Sequence, residues 1–281
     1  MTRVIPFPNS QPGPGGELAW LDLLRLASRL RAAGAGHLAV DRFLGHTAVA
    51  SLFLGHDARE GRPVTLKLID SDLAYDVGAA EFVRGIGDAR ELADPRILPP
   101  GPGPGAPGAI CYVSPYAPAE PLRNHLSQSQ PIQFADALRI AVDTARALDH
   151  WHVLGLAHGD VRAESLLIQA GQVVLPPPDR VRYGWDARQH DVQALARFCL
   201  DLLDSSSQKP EEEGCWPRLR TGLMRAAEGS GSLALSAGRL AEKLTDAQYR
   251  AAGPDGDWLG PARRFLTAVR GWVRAIPGAL P

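Results

Sequence analysis

The chain has 281 residues, 45% of them hydrophobic and 22% charged, with a formal net charge of −1 at pH 7. That balance is ordinary for a globular domain long enough to bury a core, and so small a charge gives no general attraction to nucleic acid, which is not expected as a partner. Cys111, Cys199 and Cys215 are far apart and lack CxxC spacing, which argues against a disulfide framework or a zinc site and suits a reducing cytoplasm. No apolar run approaches the ~20 residues needed to span a bilayer, and the opening MTRVIPFPNSQPGPGG lacks a signal peptide's apolar segment. The expectation is a cytoplasmic protein, attached at most to the cytoplasmic face of a membrane.

Residues 1–16 hold four prolines and three glycines and read as a flexible tail. In 17–33, ELAWLDLLRLASRLRAA, the residues Trp20, Leu23, Leu24, Ala27 and Leu30 lie along one helical stripe, opposite Asp22, Arg25 and Arg29. This helix either packs on its own domain or docks on a partner. From 38 to 69 the runs LAVDRFLG, ASLFLG and RPVTLKLI alternate as a three-strand meander, with Gly61 in the turn before the third. GHTAVA (45–50) stands between the first two strands. EFVRGIGDARELADPRILPP (81–100) reads as a helix followed by an extended run, GPGPGAPG (101–108) as a loop, and AICYVSPYAP (109–118) as a strand.

In 134–154, FADALRIAVDTARALDHWHVL, the residues Leu138, Val142, Ala145, Leu148 and Trp151 recur at helical spacing. His150 and His152 are two apart, share no helix face, and read as neither metal ligand. The helix runs into HGDVRAESLLI (158–168), a hairpin LLIQAGQVVL (166–175), then PPPDRVRYG (176–184), and the helical stretches HDVQALARFCLDLL (190–203) and LALSAGRLAEKL (233–244). AAGPDGD (251–257) is a linker by composition. Beyond it, WLGPARRFLTAVRGWVRAI (258–276) starts with Trp258 and places Pro261 in a first helical turn. Phe265, Val269, Trp272, Val273 and Ile276 form a stripe rimmed by Arg263, Arg264, Arg270 and Arg274. Such a basic amphipathic helix fits an anionic membrane surface, a groove on a partner protein, or the chain's own core.

HGDVRAESLLI resembles the protein-kinase catalytic loop H-R-D-L-x-x-x-N. His158, Asp160 and Glu164 match, Val161 stands for Leu, Arg162 for the usual Lys, Gly159 for Arg and Ser165 for Asn. V-T-L-K, ending at Lys67, resembles the family's V-A-I-K, and Asp94, Pro95, Ile97, Leu98 and Pro99 resemble its H-P-x-I-L-P run. Asp191 matches the anchoring aspartate of the central helix. Over 38–250 the chain therefore resembles a degenerate bacterial Ser/Thr protein kinase domain. The resemblance implies an α+β, two-lobed kinase-like fold: tail 1–16, N-terminal helix 17–36, small β-rich lobe and hinge 37–117, larger helical lobe 118–250, and linker with basic amphipathic helix 251–281. It also implies that Lys67 pairs the α and β phosphates, that Ser114 backs the adenine pocket, that Pro115 to Ala117 form the hinge, and that Asp160 receives the acceptor hydroxyl's proton.

Against the family's pattern, Thr47 and Ala50 replace two glycines of the phosphate cradle, leaving Gly45. Gly85 falls where a helix glutamate should pair with Lys67, with Glu81 a turn away. Ser165 replaces one metal ligand and Pro177 the other, with Asp179 two residues late. From Pro177 to Asp191 there are 14 positions and no A-P-E, and Ala234 replaces that glutamate's arginine partner. The expectation is thus a pseudokinase, not an enzyme: Lys67, Asp160, Ser165 and Asp179 vestigial catalytic residues, Gly45, Lys67, Ser114 and Tyr116 a vestigial nucleotide site, no metal, and ATP bound weakly or not at all. It would act as a scaffold or regulatory subunit for protein partners in a larger, membrane-attached assembly. The alternatives are a small-molecule phosphotransferase of the aminoglycoside or choline kinase type, with Lys67 and Asp160 as phosphate anchor and base, and a nucleotide sensor binding ATP without Mg²⁺.

Overall fold

The computed structural model describes residues 35–46, 50–69, 94–98, 101–102, 110–116, 119–128, 131–169, 171–177, 182–207, 215–232 and 236–252, together with Ser28 and Gly87. The expected helices at 17–33, apart from Ser28, and 258–276, the expected helical stretch from Glu81, apart from Gly87, and Thr47, Ala117, Asp179 and Ala234 lie outside these residues.

Three strands form the expected antiparallel meander: β1 (Leu38–His46), β2 (Ala50–Asp57) and β3 (Arg62–Ile69). Gly61, at φ +63°, makes the turn between the last two, a conformation that is inexpensive only without a Cβ. With β4 (Gly101–Pro102) and β5 (Ile110–Pro115) they make a five-stranded sheet in the order β1-β2-β3-β5-β4. Alternation assigns the two faces of β3. Val64 and Leu66 pack with Leu38, Phe53 and Cys111 in one core, while Ile69 joins Ala50 and Tyr112 in the larger core shared with the helices. Lys67 has the parity of Ile69 and so belongs to the second face.

After β6 (Glu120–Pro121), α1 (Leu122–Gln128) precedes the long α2 (Phe134–Val153). All five residues of the expected α2 stripe are buried. β7 (Leu156–Ala157) follows, then the hairpin of β8 (Leu167–Gln169) and β9 (Gln172–Val174), and β10 (Arg182–Tyr183), which pairs back on β7. Three more helices follow among the described residues: α3 (Trp185–Asp204), α4 (Cys215–Ala227) and α5 (Ala237–Ala252). α3 begins five residues before the run that predicted it. α4, with Pro217 in its first turn, was not predicted. Ser236 caps α5 by accepting from the Arg239 amide at 3.1 Å, and α5 runs on to Ala252, into the stretch read as a linker. The result is a mixed α/β architecture with a β-sheet region and helices, consistent with a kinase-like domain.

Candidate functional site

The site is built on one carboxylate. Asp191 sits in α3 with 1% of its surface exposed. Its Oδ2 accepts the His158 amide at 2.7 Å and faces His152 Nε2 at 3.0 Å, while its Oδ1 accepts the Gly159 amide at 2.7 Å. A carboxylate is tolerable at such depth only when donors surround it. These donors fasten the start of the catalytic-like loop to α3. Gly159 has φ +76°, so the place of the family's arginine is one where a glycine backbone bends at least cost. His152, set aside as a metal ligand, is one of the three supports.

The fastened loop presents Asp160. Its Oδ1 meets Arg162 Nε at 2.7 Å, and its Oδ2 accepts a hydrogen bond from the Ser165 hydroxyl. Arg162 Nε also lies 3.2 Å from Ser165 Oγ, and the Ser165 amide donates to the Arg162 carbonyl at 3.0 Å. Asp160, Arg162 and Ser165 are thus one cluster, half open to solvent. Glu164 points elsewhere, to Arg123 at 3.2 Å on the surface.

The prolines that break the metal motif have a structural part. Lys67, 7% exposed, donates from Nζ to the Pro177 carbonyl at 3.3 Å and lies 5.5 Å from the Tyr112 ring centroid. The Tyr112 hydroxyl reaches the same carbonyl at 3.5 Å. One residue back, the Pro176 carbonyl accepts from His158 Nε2 at 2.9 Å, and His158 Nδ1 accepts the Asp160 amide at 3.3 Å. Proline donates no hydrogen bond but keeps its acceptor. Two consecutive carbonyls therefore link the strand lysine to the loop. Burial pushes the His158 imidazole below its usual pKa, against the pull of Asp191, the Pro176 carbonyl and Asp160, so the neutral ring serves as donor at one nitrogen and acceptor at the other.

A second support fixes this turn from behind. Asp94 accepts from the Arg96 amide and from its Nε, both at 2.8 Å, and pairs with His150 of α2. Burial would raise the Asp94 carboxyl, but the Arg96 hydrogen bonds and the charges of Arg96 and His150 outweigh it and hold it below the usual range. Leu98 and Arg96 then exchange backbone hydrogen bonds with Leu175, next to the prolines.

Of the expected site residues, Lys67 meets Pro177 and Asp160 meets Ser165. Ser114 is buried on β5 opposite Thr65, Tyr116 just after it donates its amide to the Pro63 carbonyl, and Gly45 is paired with Leu52 at a bulge of β1. Sequence reasoning missed His150, Tyr112 and the Arg162 clamp. Strand parity alone would have placed Tyr112 beside Lys67, its register partner. Among the described residues no three His, Cys, Asp or Glu side chains are grouped to hold a metal ion. Kinase-like chemistry would call for Mg²⁺, but the Asp160 oxygens are engaged, Oδ1 by the Arg162 guanidinium and Oδ2 by the Ser165 hydroxyl, so this cluster is not a preformed divalent-cation site.

A buried strand lysine and a fastened loop aspartate, in this order along the chain, are features of a kinase-like domain, and comparison with known proteins supports it. The serine/threonine-protein kinase PknD of Mycobacterium tuberculosis is 31% identical over 130 residues, 46% of this chain and 20% of that protein. PknB of Mycobacterium leprae is 29% identical over 136 residues, 47% of this chain and 22% of that protein. CBL-interacting protein kinase 11 of rice, Oryza sativa subsp. japonica, is 25% identical over 138 residues, 49% of this chain and 28% of that protein. The matches thus take in about half of this chain and 20–28% of these relatives. No family model matches. These relatives overturn the expectation that the chain is not an enzyme: kinases at 25–31% identity point to a kinase, and the substitutions at Gly159, Ser165 and Pro177 do not show that its catalytic residues are lost. Among the described residues no helix is long and apolar enough to cross a membrane.

Proposed function

We propose that the chain is a phosphotransferase with a two-lobed, kinase-like arrangement, in which Asp160 is the general base, Lys67 the phosphate anchor, and the backbone from Ser114 to Tyr116 the adenine edge. The observation that carries this reading is the fastening of the Asp160 loop by Asp191, which fixes a carboxylate beside a hydroxyl and a guanidinium. Positioning and charge stabilisation are what phosphoryl transfer asks of a protein. Nucleotide is held weakly, because Thr47 and Ala50 take the places where glycines free the backbone for phosphates. The test is titration with ATP, with and without Mg²⁺, alongside ADP release. Weak binding lost in Lys67→Met supports the reading, and binding unaffected by that change would refute the anchor.

The segment 258–276 supplies the contact to a larger assembly, its basic and apolar sequence pattern suiting a partner protein or the anionic cytoplasmic face of a membrane. What supports this is its sequence pattern, Trp258, Phe265, Val269 and Trp272 within a rim of arginines. Deleting 257–281 should abolish native co-fractionation while leaving the melting midpoint unchanged. A large fall in melting with association intact would assign the helix to the core instead.

A further inference from the structure

We infer that Ser165 is itself a phosphate acceptor, modified within the same chain by the site it belongs to; the inference rests on the phosphotransferase reading above. A general base must lie within hydrogen-bond reach of the proton it takes, and the Ser165 hydroxyl already donates to Asp160 Oδ2. The base is in turn oriented by Arg162 at its other oxygen, 2.7 Å away. Nucleophile, base and orienting cation are thereby in contact in the order that activates a hydroxyl. The backbone holds Ser165 in place: its amide and that of Leu166 both donate to the Arg162 carbonyl, at 3.0 and 3.2 Å, and the Leu166 side chain is fully buried. An asparagine at this position would bring no nucleophile. The serine brings one, and the half-open cluster leaves room for a phosphate.

The phosphoryl donor is a nucleoside triphosphate. A lone pair of Ser165 Oγ attacks the γ-phosphorus. The new Oγ–P bond forms as the bond from the γ-phosphorus to the β–γ bridging oxygen breaks, the hydroxyl proton passes to Asp160 Oδ2, and the nucleoside diphosphate leaves. The product dianion stands beside the Arg162 guanidinium, whose Nε is 3.2 Å from Ser165 Oγ before reaction, a placement that suits phosphate recognition by arginine. The same dianion crowds Asp160, so the reaction stops at one phosphate per chain and blocks the base against further acceptors. The modification is self-limiting.

The test uses the full chain with ATP and Mg²⁺ or Mn²⁺. ADP release, transfer to an added basic protein, and mass spectrometry of the peptide containing 158–168 are followed together. The expected result is phosphoserine at 165, reaching one per chain at a rate independent of protein concentration and abolished in Asp160→Asn. Ser165→Thr should give phosphothreonine, which keeps the test open if Ser165→Ala does not fold. Independently of turnover, the second phosphate pKa read by phosphorus NMR of the modified chain should rise when Arg162 is replaced by Ala, because Arg162 favours the dianion that Asp160 opposes. ADP release or transfer to the added protein with Ser165 unmodified refutes this inference and leaves the phosphotransferase reading standing. A rate that rises with protein concentration, or a phosphate pKa unchanged in Arg162→Ala, also refutes it. Neither ADP nor phosphoprotein under any condition overturns both.

Discussion

Replacing Asp191 removes the acceptor for two backbone amides and the partner of a buried imidazole at once. Each buried donor left unsatisfied costs about 1–3 kcal/mol, and the His158 and Gly159 amides and the His152 ring lose their common partner together. The contributions overlap, so Asp191→Ala should lose about 3–5 kcal/mol. At roughly 2–4 °C per kcal/mol for a domain of this size, the melting midpoint falls by roughly 6–20 °C. Asp191→Asn keeps one carbonyl acceptor but turns an NH₂ toward a backbone N–H or His152, and should lose about half as much. The assay is urea and thermal denaturation by circular dichroism, paired with hydrogen exchange at the His158 and Gly159 amides. Both amides should lose protection ahead of those of α2 and α3. A loss below about 1 kcal/mol, the net worth of one ordinary hydrogen bond, with both amides still protected, would refute the claim that Asp191 holds the loop.

Two further outcomes follow from the supports around the site. Asp94 has a folded-state pKa below its ordinary 3.8; its contribution is therefore fully present above that value and is lost as pH falls through the lower folded one. Asp94→Asn should flatten the decline of stability in that acid range, and an unchanged acid limb in urea titrations would contradict the pairing with Arg96 and His150. At Gly55 in β2 an added Cβ would overlap the Ala39 carbonyl oxygen and come within 2.8 Å of Leu66 Cδ1. Gly55→Ala should therefore cost about 1–3 kcal/mol by overpacking, and a neutral effect in the same assay would contradict that close approach.

Where periodicity was strong, the sequence was a good guide. The meander is legible from its alternation although two register shifts interrupt β1, and the 134–154 stripe is spaced so that one register buries Leu138, Val142, Ala145, Leu148 and Trp151 together. α4 escaped because Pro217 and Gly222 interrupt a short amphipathic run that tertiary packing still makes helical. At the site, motif order led to Lys67, Asp160 and Asp191 but misjudged what replaced the missing residues. Pro177 was read only as the loss of a carboxylate, yet a proline's carbonyl is an acceptor that the one-letter code hides. Gly159 was read as a missing arginine, whereas its φ of +76° gives a backbone reason for glycine. His150 and His152 face partners 56 and 39 residues distant, Asp94 and Asp191, and no local spacing signals such pairs.

The central claim, that Asp160 works as a base in phosphoryl transfer, is tested most directly by following ADP formation from ATP and Mg²⁺ in matched preparations of the wild-type chain and Asp160→Asn. Their melting midpoints must first agree. The account predicts slow ADP formation by the wild type, accompanied by phosphate bound to protein, and none above background from Asp160→Asn. Equal ADP formation by the two, or none by either, would contradict it.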